Sequence, residues 1–302
     1  MLKIKNIFFS IRTWVIGIPY IWLALFFVLP FLVVLRVSLS EEIMSIPPYT
    51  DILVWTKTYT AKFILNFENY AYLVEDSFYM DAYLLSIKFA FITTCISLLI
   101  GFPIALGIST LDKKWQIIAI LLIMLPFWTS FLIRIYAWLN LLTPYGLINS
   151  FLLSWGIIKS PLHLLFNDIS VTIGMVYCYL PFMILPIYVT LEKMDPALRE
   201  AASDLGAKPF SVFRSITLPL SLPGILTGSL LVFIPCAGEF VIPEILGGAS
   251  NVLIGRLVWH EFFINHSWPT ATALAICLLI LLFLPIYLLQ KVQNNIANKM
   301  DI

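Results

Sequence analysis

The sequence contains few charged residues. Lys, Arg, Asp and Glu make up 12% of the 302 residues, whereas hydrophobic residues make up 61%. An average soluble domain has roughly a quarter of its residues charged. The formal net charge of +1 gives no reason to expect nucleic acid or an acidic surface as the main partner. This shortage of charge argues against a soluble domain and predicts a membrane protein.

Residues that build metal centres, disulfides or active sites are also scarce. The four cysteines, Cys95, Cys178, Cys236 and Cys277, lie in apolar stretches without CxxC spacing or clustered histidine. Neither a disulfide framework nor a zinc site is therefore predicted. The chain also lacks a GxxxxGK[ST] phosphate loop and shows no Ser/Lys or His/Glu arrangement. We expect no metal and no catalytic residue in this chain.

Long apolar runs, in contrast, are abundant. Hydrocarbon about 30 Å thick requires roughly 20 apolar residues of helix. Runs of this length are predicted at residues 14–37, 82–108, 116–142, 169–191, 220–246 and 269–290. They do not resemble the alternating strands, each of roughly ten residues, of a membrane barrel. The first run is too long for a cleaved signal and is interpreted as a retained span. The expected fold is all-α, a polytopic membrane protein with six transmembrane helices.

The basic residues between the spans are distributed unevenly, which predicts orientation. One side collects Lys3, Lys5, Arg12, Lys113, Lys114, Lys193, Arg199, Lys208, Arg214, Lys291 and Lys299. The other side has Lys57, Lys62, Lys159 and Arg256. Both termini are therefore expected to face the cytoplasm.

The fifth run, "LLVFIPCAGEFVIPEILGG", contains two carboxylates, Glu239 and Glu244. An acidic residue at the centre of a membrane helix costs about 2.5 to 3.5 kcal/mol, so it normally faces a cavity, a partner or a pathway. Residues five apart on a straight helix lie about 140° apart around the axis. Pro235, Gly238 and Pro243 can break the helix. We predict a broken helix that turns both carboxylates toward one cavity.

A basic residue lies within the third run, in "LPFWTSFLIRIYAWLNLL", where Arg134 is flanked by apolar residues. An intramembrane arginine usually has an acidic partner. Two interpretations remain open for the glutamates. Either they line a pathway and at least one binds a cationic cargo, or one of them pairs with Arg134 and fixes the third span against the fifth.

The segment between the fourth and fifth runs, residues 192–219, is polar yet patterned. Asp195 is predicted as an N-cap with Pro196 at the first helical position, and Gly206 ends that helix. A second amphipathic helix, "FSVFRSITL", is predicted to stop at Pro219. We expect a helix-turn-helix on the cytoplasmic face, suited to packing against another protein.

The stretch "EAASDLGAKPFSVFRSITLP" resembles the permease subunits of ATP-binding-cassette importers, through Glu-Ala-Ala, three residues, Gly, nine residues, Ile, one residue and Leu-Pro. The resemblance implies one permease domain of the type I importer fold over residues 1–302, in a bacterial cytoplasmic (inner) membrane. It further implies that Glu200, Ala201, Ala202 and Gly206 belong to a coupling helix that contacts a separate ATPase.

The same resemblance implies several partners. They are a dimer of ATPase subunits, a second, related permease subunit, membrane lipid and an extracytoplasmic solute-binding protein, which the stretch "WHEFFINHSWP" helps to receive. ATP and magnesium would be bound by the ATPase partner, so no cofactor is expected in this chain. No nucleic acid partner is expected.

Stretches such as "NFENYAYLVEDSFYMDAYLLSIKFA" and "FIPCAGEFVIPEILGG" resemble spermidine/putrescine permeases. Within that family, the second stretch most resembles the putrescine-type subunit. The resemblance implies a polyamine cargo, which calls for carboxylates and aromatic faces. The predicted pathway residues are Glu239, Glu244, Trp128, Arg134, Tyr136, Trp138 and Phe240. Alternatives are another small solute such as an amino acid, an inorganic anion or iron, or an ATP-independent secondary transporter using the glutamates as a cation relay.

Overall fold

A computed structural model describes residues 11–51, 53–55, 61–63, 65–248 and 251–300. Among the basic residues used to predict orientation, Lys3, Lys5 and Lys57 lie outside the described residues. Within the described part, six helical segments are long and apolar enough to cross a membrane. They are Trp14–Ser38, Ser77–Ser109, Phe131–Ser154, Asp168–Glu192, Pro209–Ala237 and Trp268–Gln293. The predicted all-α, six-helix membrane fold is confirmed.

The first compact unit comprises residues up to Ser77 together with Val258–Leu279. Its elements are α1 (Ile11–Leu23), a π-helical turn (Ala24–Val28), α2 (Leu29–Ser38), β1 (Leu53–Trp55), β2 (Ala61–Phe63), α3 (Glu68–Glu75), a second π-helical turn (His260–Ile264) and the first part of the helix that begins at Trp268. The two short strands pair antiparallel, with Val54 opposite Lys62.

Polar contacts hold α3 against the end of α2. The hydroxyls of Ser38 and Tyr70 lie 2.7 Å apart. Asn69 Nδ2 donates to the backbone oxygens of Ser38 at 3.1 Å and Ser40 at 2.9 Å. These bonds satisfy carbonyls that the end of α2 leaves without intrahelical partners.

The second unit comprises Phe78–Leu257 with the residues from Ile280 onward. Its helices are α4 (Ser77–Ser109), α5 (Lys113–Met124), α6 (Phe131–Leu142), α7 (Leu147–Ser154), α8 (Asp168–Glu192), α9 (Pro196–Asp204), α10 (Pro209–Val212), α11 (Leu218–Ala237), α12 (Val241–Leu246), α13 (Ile254–Trp259) and the end of α14 (Trp268–Met300). A 3₁₀ turn, Leu125–Trp128, follows α5, and a π-helical turn, Phe213–Thr217, joins α10 to α11.

The core of this unit lies between α8 and α11, which pack closely along their length. Small residues on α11 allow the approach. A methyl group added at Gly228 would lie 2.9 Å from the sulfur of Met183, and one at Gly224 would lie 2.7 Å from the carbonyl oxygen of Pro186. Membrane helices associate through such close van der Waals packing, because lipid is as apolar as their side chains.

The segment between the fourth and fifth spans, residues 192–219, differs from its prediction in one respect. Pro219 does not end a helix, because α10, the π-helical turn and α11 form one continuous helix, Pro209–Ala237. Pro219 occupies the first turn of α11, directly after the wide π-helical turn, where its missing N–H is tolerated. The predicted second amphipathic helix is therefore the start of the fifth span.

The third predicted span, 116–142, is interrupted. After α5 the chain passes through the 3₁₀ turn containing Pro126, and Thr129 is extended with ψ of 153°. The helix resumes at Phe131. The segment long enough to cross a membrane is Phe131–Ser154, which lies further along the chain than predicted.

Candidate functional site at the break in the fifth span

The predicted break in the fifth span is present. The helix α11 ends at Ala237, and α12 begins at Val241. Between them Gly238 and Phe240 have non-helical dihedral angles. Such irregular backbone inside a membrane must find hydrogen-bond partners within the protein or at a water-filled cavity.

Glu239 supplies those partners at the start of α12. Its Oε1 accepts hydrogen bonds from the backbone N–H of Val241 at 2.9 Å and of Phe240 at 3.1 Å, with a weaker third from Ile242 at 3.4 Å. Its Oε2 accepts from the hydroxyl of Tyr179 on α8. Only 8% of Glu239 is exposed. This side chain therefore satisfies the first turn of α12 and ties the break to α8.

Glu244, within the first turn of α12, is bound differently. It forms an ion pair with Arg256, and the side chains of Glu244 and Arg256 are 43% and 17% exposed. Arg256 Nη1 also donates to the carbonyl oxygen of Gly248 at 2.7 Å. The sequence indicated Arg256 only as an outer basic residue. Glu239 and Glu244 thus have separate partners, and one carboxylate is buried while the other is half-exposed.

Neighbouring elements clamp α12 and the break. Ser170 Oγ donates to the carbonyl oxygen of Leu246 at 2.8 Å, next to the α12 C-terminus. A methyl group added at Gly255 would lie 2.3 Å from the carbonyl oxygen of Gly238. The backbone N–H of Ile254, at the start of α13, donates to Ser86 Oγ on α4 at 2.8 Å. The broken segment is therefore contacted by α8 and by α13, and α13 is itself bound to α4.

Arg134 has no carboxylate partner among the described residues. Its Nε and Nη1 atoms are buried without a hydrogen bond. Its guanidinium carbon lies 4.9 Å from the ring centre of Phe127 and 5.5 Å from that of Phe131, which are cation–π distances. The interpretation that Arg134 pairs with Glu239 or Glu244 is wrong for this chain, because Tyr179 and Arg256 bind those carboxylates instead.

The predicted aromatic residues are dispersed. Trp128 ends the 3₁₀ turn and is 82% exposed, and Tyr136 is 53% exposed. Trp138 packs edge-on against Tyr177, with ring centres 5.4 Å apart. Phe240 lies at the break itself, where its N–H binds Glu239. Of these four aromatic residues, Phe240 has a described hydrogen bond to one of the two predicted pathway glutamates, Glu239.

The helix α9, between the fourth and fifth spans, forms as the sequence predicts. Asp195 caps it by accepting from the N–H of Ala197 at 3.0 Å, and Gly206 follows it with φ of +82°. That left-handed conformation favours glycine. Glu200, Ala201 and Gly206 are exposed, and Ala202 is partly so.

An ion pair joins the start of α5 to the end of α8. Lys113 Nζ lies 2.5 Å from Glu192 Oε1. The hydrogen bond to Glu192 raises the pKa of Lys113 above its ordinary value.

The membrane helices and the broken fifth span define a polytopic membrane protein. The chain belongs to the family of binding-protein-dependent transport system inner membrane components, which matches residues 2–295. It is 37% identical over 287 residues to the spermidine/putrescine transport system permease protein PotB of Haemophilus influenzae, covering 95% of this chain and 96% of that protein. It is 35% identical over 282 residues to PotB of Escherichia coli, covering 93% and 97%.

The fold is also similar to a solved structure, the bacterial alginate ABC transporter in complex with alginate pentasaccharide-bound periplasmic protein. The TM-score is 0.68 at 19% identity, covering 98% of each chain. At this identity the likeness supports the fold alone.

Proposed function

We propose that this chain is the permease subunit of an ATP-driven importer and forms the membrane route for a polyamine, putrescine or spermidine. The observation that carries the proposal is the match to two spermidine/putrescine permeases over 96% and 97% of their length. The fit to the putrescine-type subunit in particular remains a prediction from the sequence.

The broken segment of the fifth span supplies the chemistry that a polyamine requires. Protonated amines need carboxylates and aromatic faces, since their desolvation must be offset along the route. Glu239 and Glu244 line the proposed route and at least one contacts cargo, with Phe240, Trp128, Arg134, Tyr136 and Trp138 as further lining residues. The half-exposed Glu244 already binds a cation, Arg256. A cargo ammonium can replace Arg256 without leaving the carboxylate unpaired.

The exposed helix α9 supports the proposed partnership with an ATPase. In this proposal Glu200, Ala201, Ala202 and Gly206 contact one subunit of an ATPase dimer, which binds ATP and magnesium. A second, related permease subunit completes the route, and an extracytoplasmic solute-binding protein delivers the cargo. The proposed orientation places both termini in the cytoplasm, on the same side as α9.

The test is uptake by the assembled complex reconstituted into liposomes. We expect ATP-dependent accumulation of labelled putrescine or spermidine that unlabelled polyamine, but not an amino acid, suppresses. Glu244→Gln is expected to reduce uptake at least tenfold, whereas Glu75→Gln, an exposed carboxylate at the end of α3, retains it. Transport by the chain without an ATPase, or stronger suppression by an amino acid, contradicts the proposal.

A further inference from the structure

The pair formed by Tyr179 and Glu239 has a role that the cargo route does not explain. We propose that these two are positioning residues: they hold the break in the fifth span so that Glu244 is presented to cargo, and neither is itself a cargo ligand. This inference rests on the proposed function for the identity of the cargo, while the geometry of the pair is independent of it.

Most of the hydrogen-bond acceptor sites of Glu239 are already in use. One oxygen accepts from the first backbone N–H groups of α12, at 2.9 and 3.1 Å, and the other accepts from Tyr179. The residue is 8% exposed. A cargo ammonium could bind both carboxylate oxygens only by displacing donors that would then be buried without acceptors, which is costly. At Glu244 the displaced donor would be the Arg256 side chain, which keeps its hydrogen bond to the carbonyl oxygen of Gly248.

Tyr179 connects the break to the helix that forms the centre of the unit. It lies in the middle of α8, sixty residues before Glu239 in the sequence. α8 packs against both α11 and α12, the two helices that the break separates. The Tyr179 hydroxyl is therefore placed to hold the start of α12 against α8.

A continuous set of contacts leads from this pair to the break in the third span. The Tyr179 ring lies 6.3 Å from the ring of Phe182, and Phe182 lies 5.2 Å from Phe127. Phe127 is in the 3₁₀ turn that interrupts the third span, beneath the Arg134 guanidinium. Tyr179 thus stands between the two breaks, and a loss of its hydroxyl should loosen α12 without removing a charge from the route.

The experiment uses the assembled complex with four variants. They are Tyr179→Phe, Glu239→Gln, Glu239→Ala and, as the control, Tyr287→Phe, which removes an exposed hydroxyl from α14. Each is tested for ATP-dependent polyamine uptake and for hydrogen–deuterium exchange of the peptide containing residues 240–242.

We expect Glu239→Gln to keep at least half of the uptake, because an amide oxygen can still accept from backbone N–H groups, while Glu239→Ala loses at least tenfold. Tyr179→Phe should lower the maximal uptake rate about threefold to tenfold and speed exchange at residues 240–242. Tyr287→Phe should change neither.

The inference is wrong if Glu239→Gln abolishes uptake as fully as Glu239→Ala while exchange at 240–242 stays as in the wild type, since the charge itself would then be required. It is equally wrong if Tyr179→Phe alters neither measurement. If the wild-type complex carries no polyamine, the proposed function fails, but exchange in Tyr179→Phe still decides whether the pair holds the break.

Discussion

The third and fifth spans are both interrupted, but the charged side chains at the two breaks differ in whether they have hydrogen-bond partners. At the fifth-span break, the carboxylates of Glu239 and Glu244 find donors within the chain. At the third-span break, the buried Nε and Nη1 of Arg134 have aromatic rings beside them but no hydrogen-bond acceptor in the described part of the chain.

Unsatisfied polar groups are expensive inside a membrane, and a buried charge is more expensive still. The carboxylates at the fifth-span break thus have donors within the chain, whereas the described residues offer no acceptor to Nε and Nη1 of Arg134. Four substitutions test this contrast, and they are arranged from the largest expected effect to the smallest.

Gly255→Ala should be the most damaging. The added methyl would lie 2.3 Å from the carbonyl oxygen of Gly238 and 2.8 Å from that of Glu239, both backbone atoms of the break. Overpacking of this kind typically costs about 1 to 3 kcal/mol, and rigid backbone raises the cost. We expect at least a tenfold loss of uptake and a lower melting temperature in detergent. Gly107→Ala is the matched control, because nothing lies within 4 Å of its added methyl.

Arg256→Met should have the next largest effect. It removes the ion pair with Glu244 and the 2.7 Å hydrogen bond to the carbonyl oxygen of Gly248. Loss of a partner for a buried or part-buried polar group costs about 1 to 3 kcal/mol. The melting temperature of the purified chain should fall accordingly. A melting temperature equal to that of the wild type would show that the fifth-span break does not depend on this contact.

Arg134→Met is the direct counterpart in the third span. Because two of its guanidinium nitrogens make no hydrogen bond in the described structure, the purified chain should lose only cation–π contact, about 1 kcal/mol or less. If the proposed second permease subunit supplies an acceptor for Arg134, the same variant should also reduce co-purification with that subunit. If the melting temperature falls as much as in Arg256→Met, or more, then the two breaks do not differ in how much they depend on contacts within this chain.

Lys113→Met, at the start of α5, should have the smallest effect, because its ion pair with Glu192 is exposed to solvent. The hydrogen bond to Glu192 raises the folded-state pKa of Lys113 above its ordinary 10.5. Its contribution is therefore fully present below 10.5 and is lost as the pH rises through the raised pKa. Melting temperatures of wild type and variant should differ by the same small amount from about pH 6 to about pH 9.

Several elements could be predicted from local patterns. Hydropathy predicted six membrane helices, and Pro235, Gly238 and Pro243 predicted the break at the end of the fifth. Asp195, Pro196 and Gly206 predicted α9, whose N-cap and left-handed glycine are present. A membrane helix is predicted from about 20 consecutive residues, and a cap or a break from a few neighbouring residues. All of these signals are local in the sequence.

The partners of the charged residues could not be predicted in this way. Tyr179 lies sixty residues from Glu239, and no spacing in the sequence associates the two. The same holds for Ser86 and Ile254, which are 168 residues apart. Pro219 was expected to end a helix, and only the π-helical turn before it shows why the helix continues.

The sequence alone determined three things about this chain: its six membrane-spanning helices, the positions of acidic and basic residues within apolar runs, and the position of the break in the fifth helix. It could do so because hydrophobicity and backbone preferences are local properties. The tertiary structure decided which charges are satisfied. Glu239 is bound within the protein because α8 brings Tyr179 to it, Glu244 is half-exposed beside Arg256, and Arg134 lies on aromatic rings. Those outcomes depend on which helices pack together, and that packing brings residues far apart in the chain into contact.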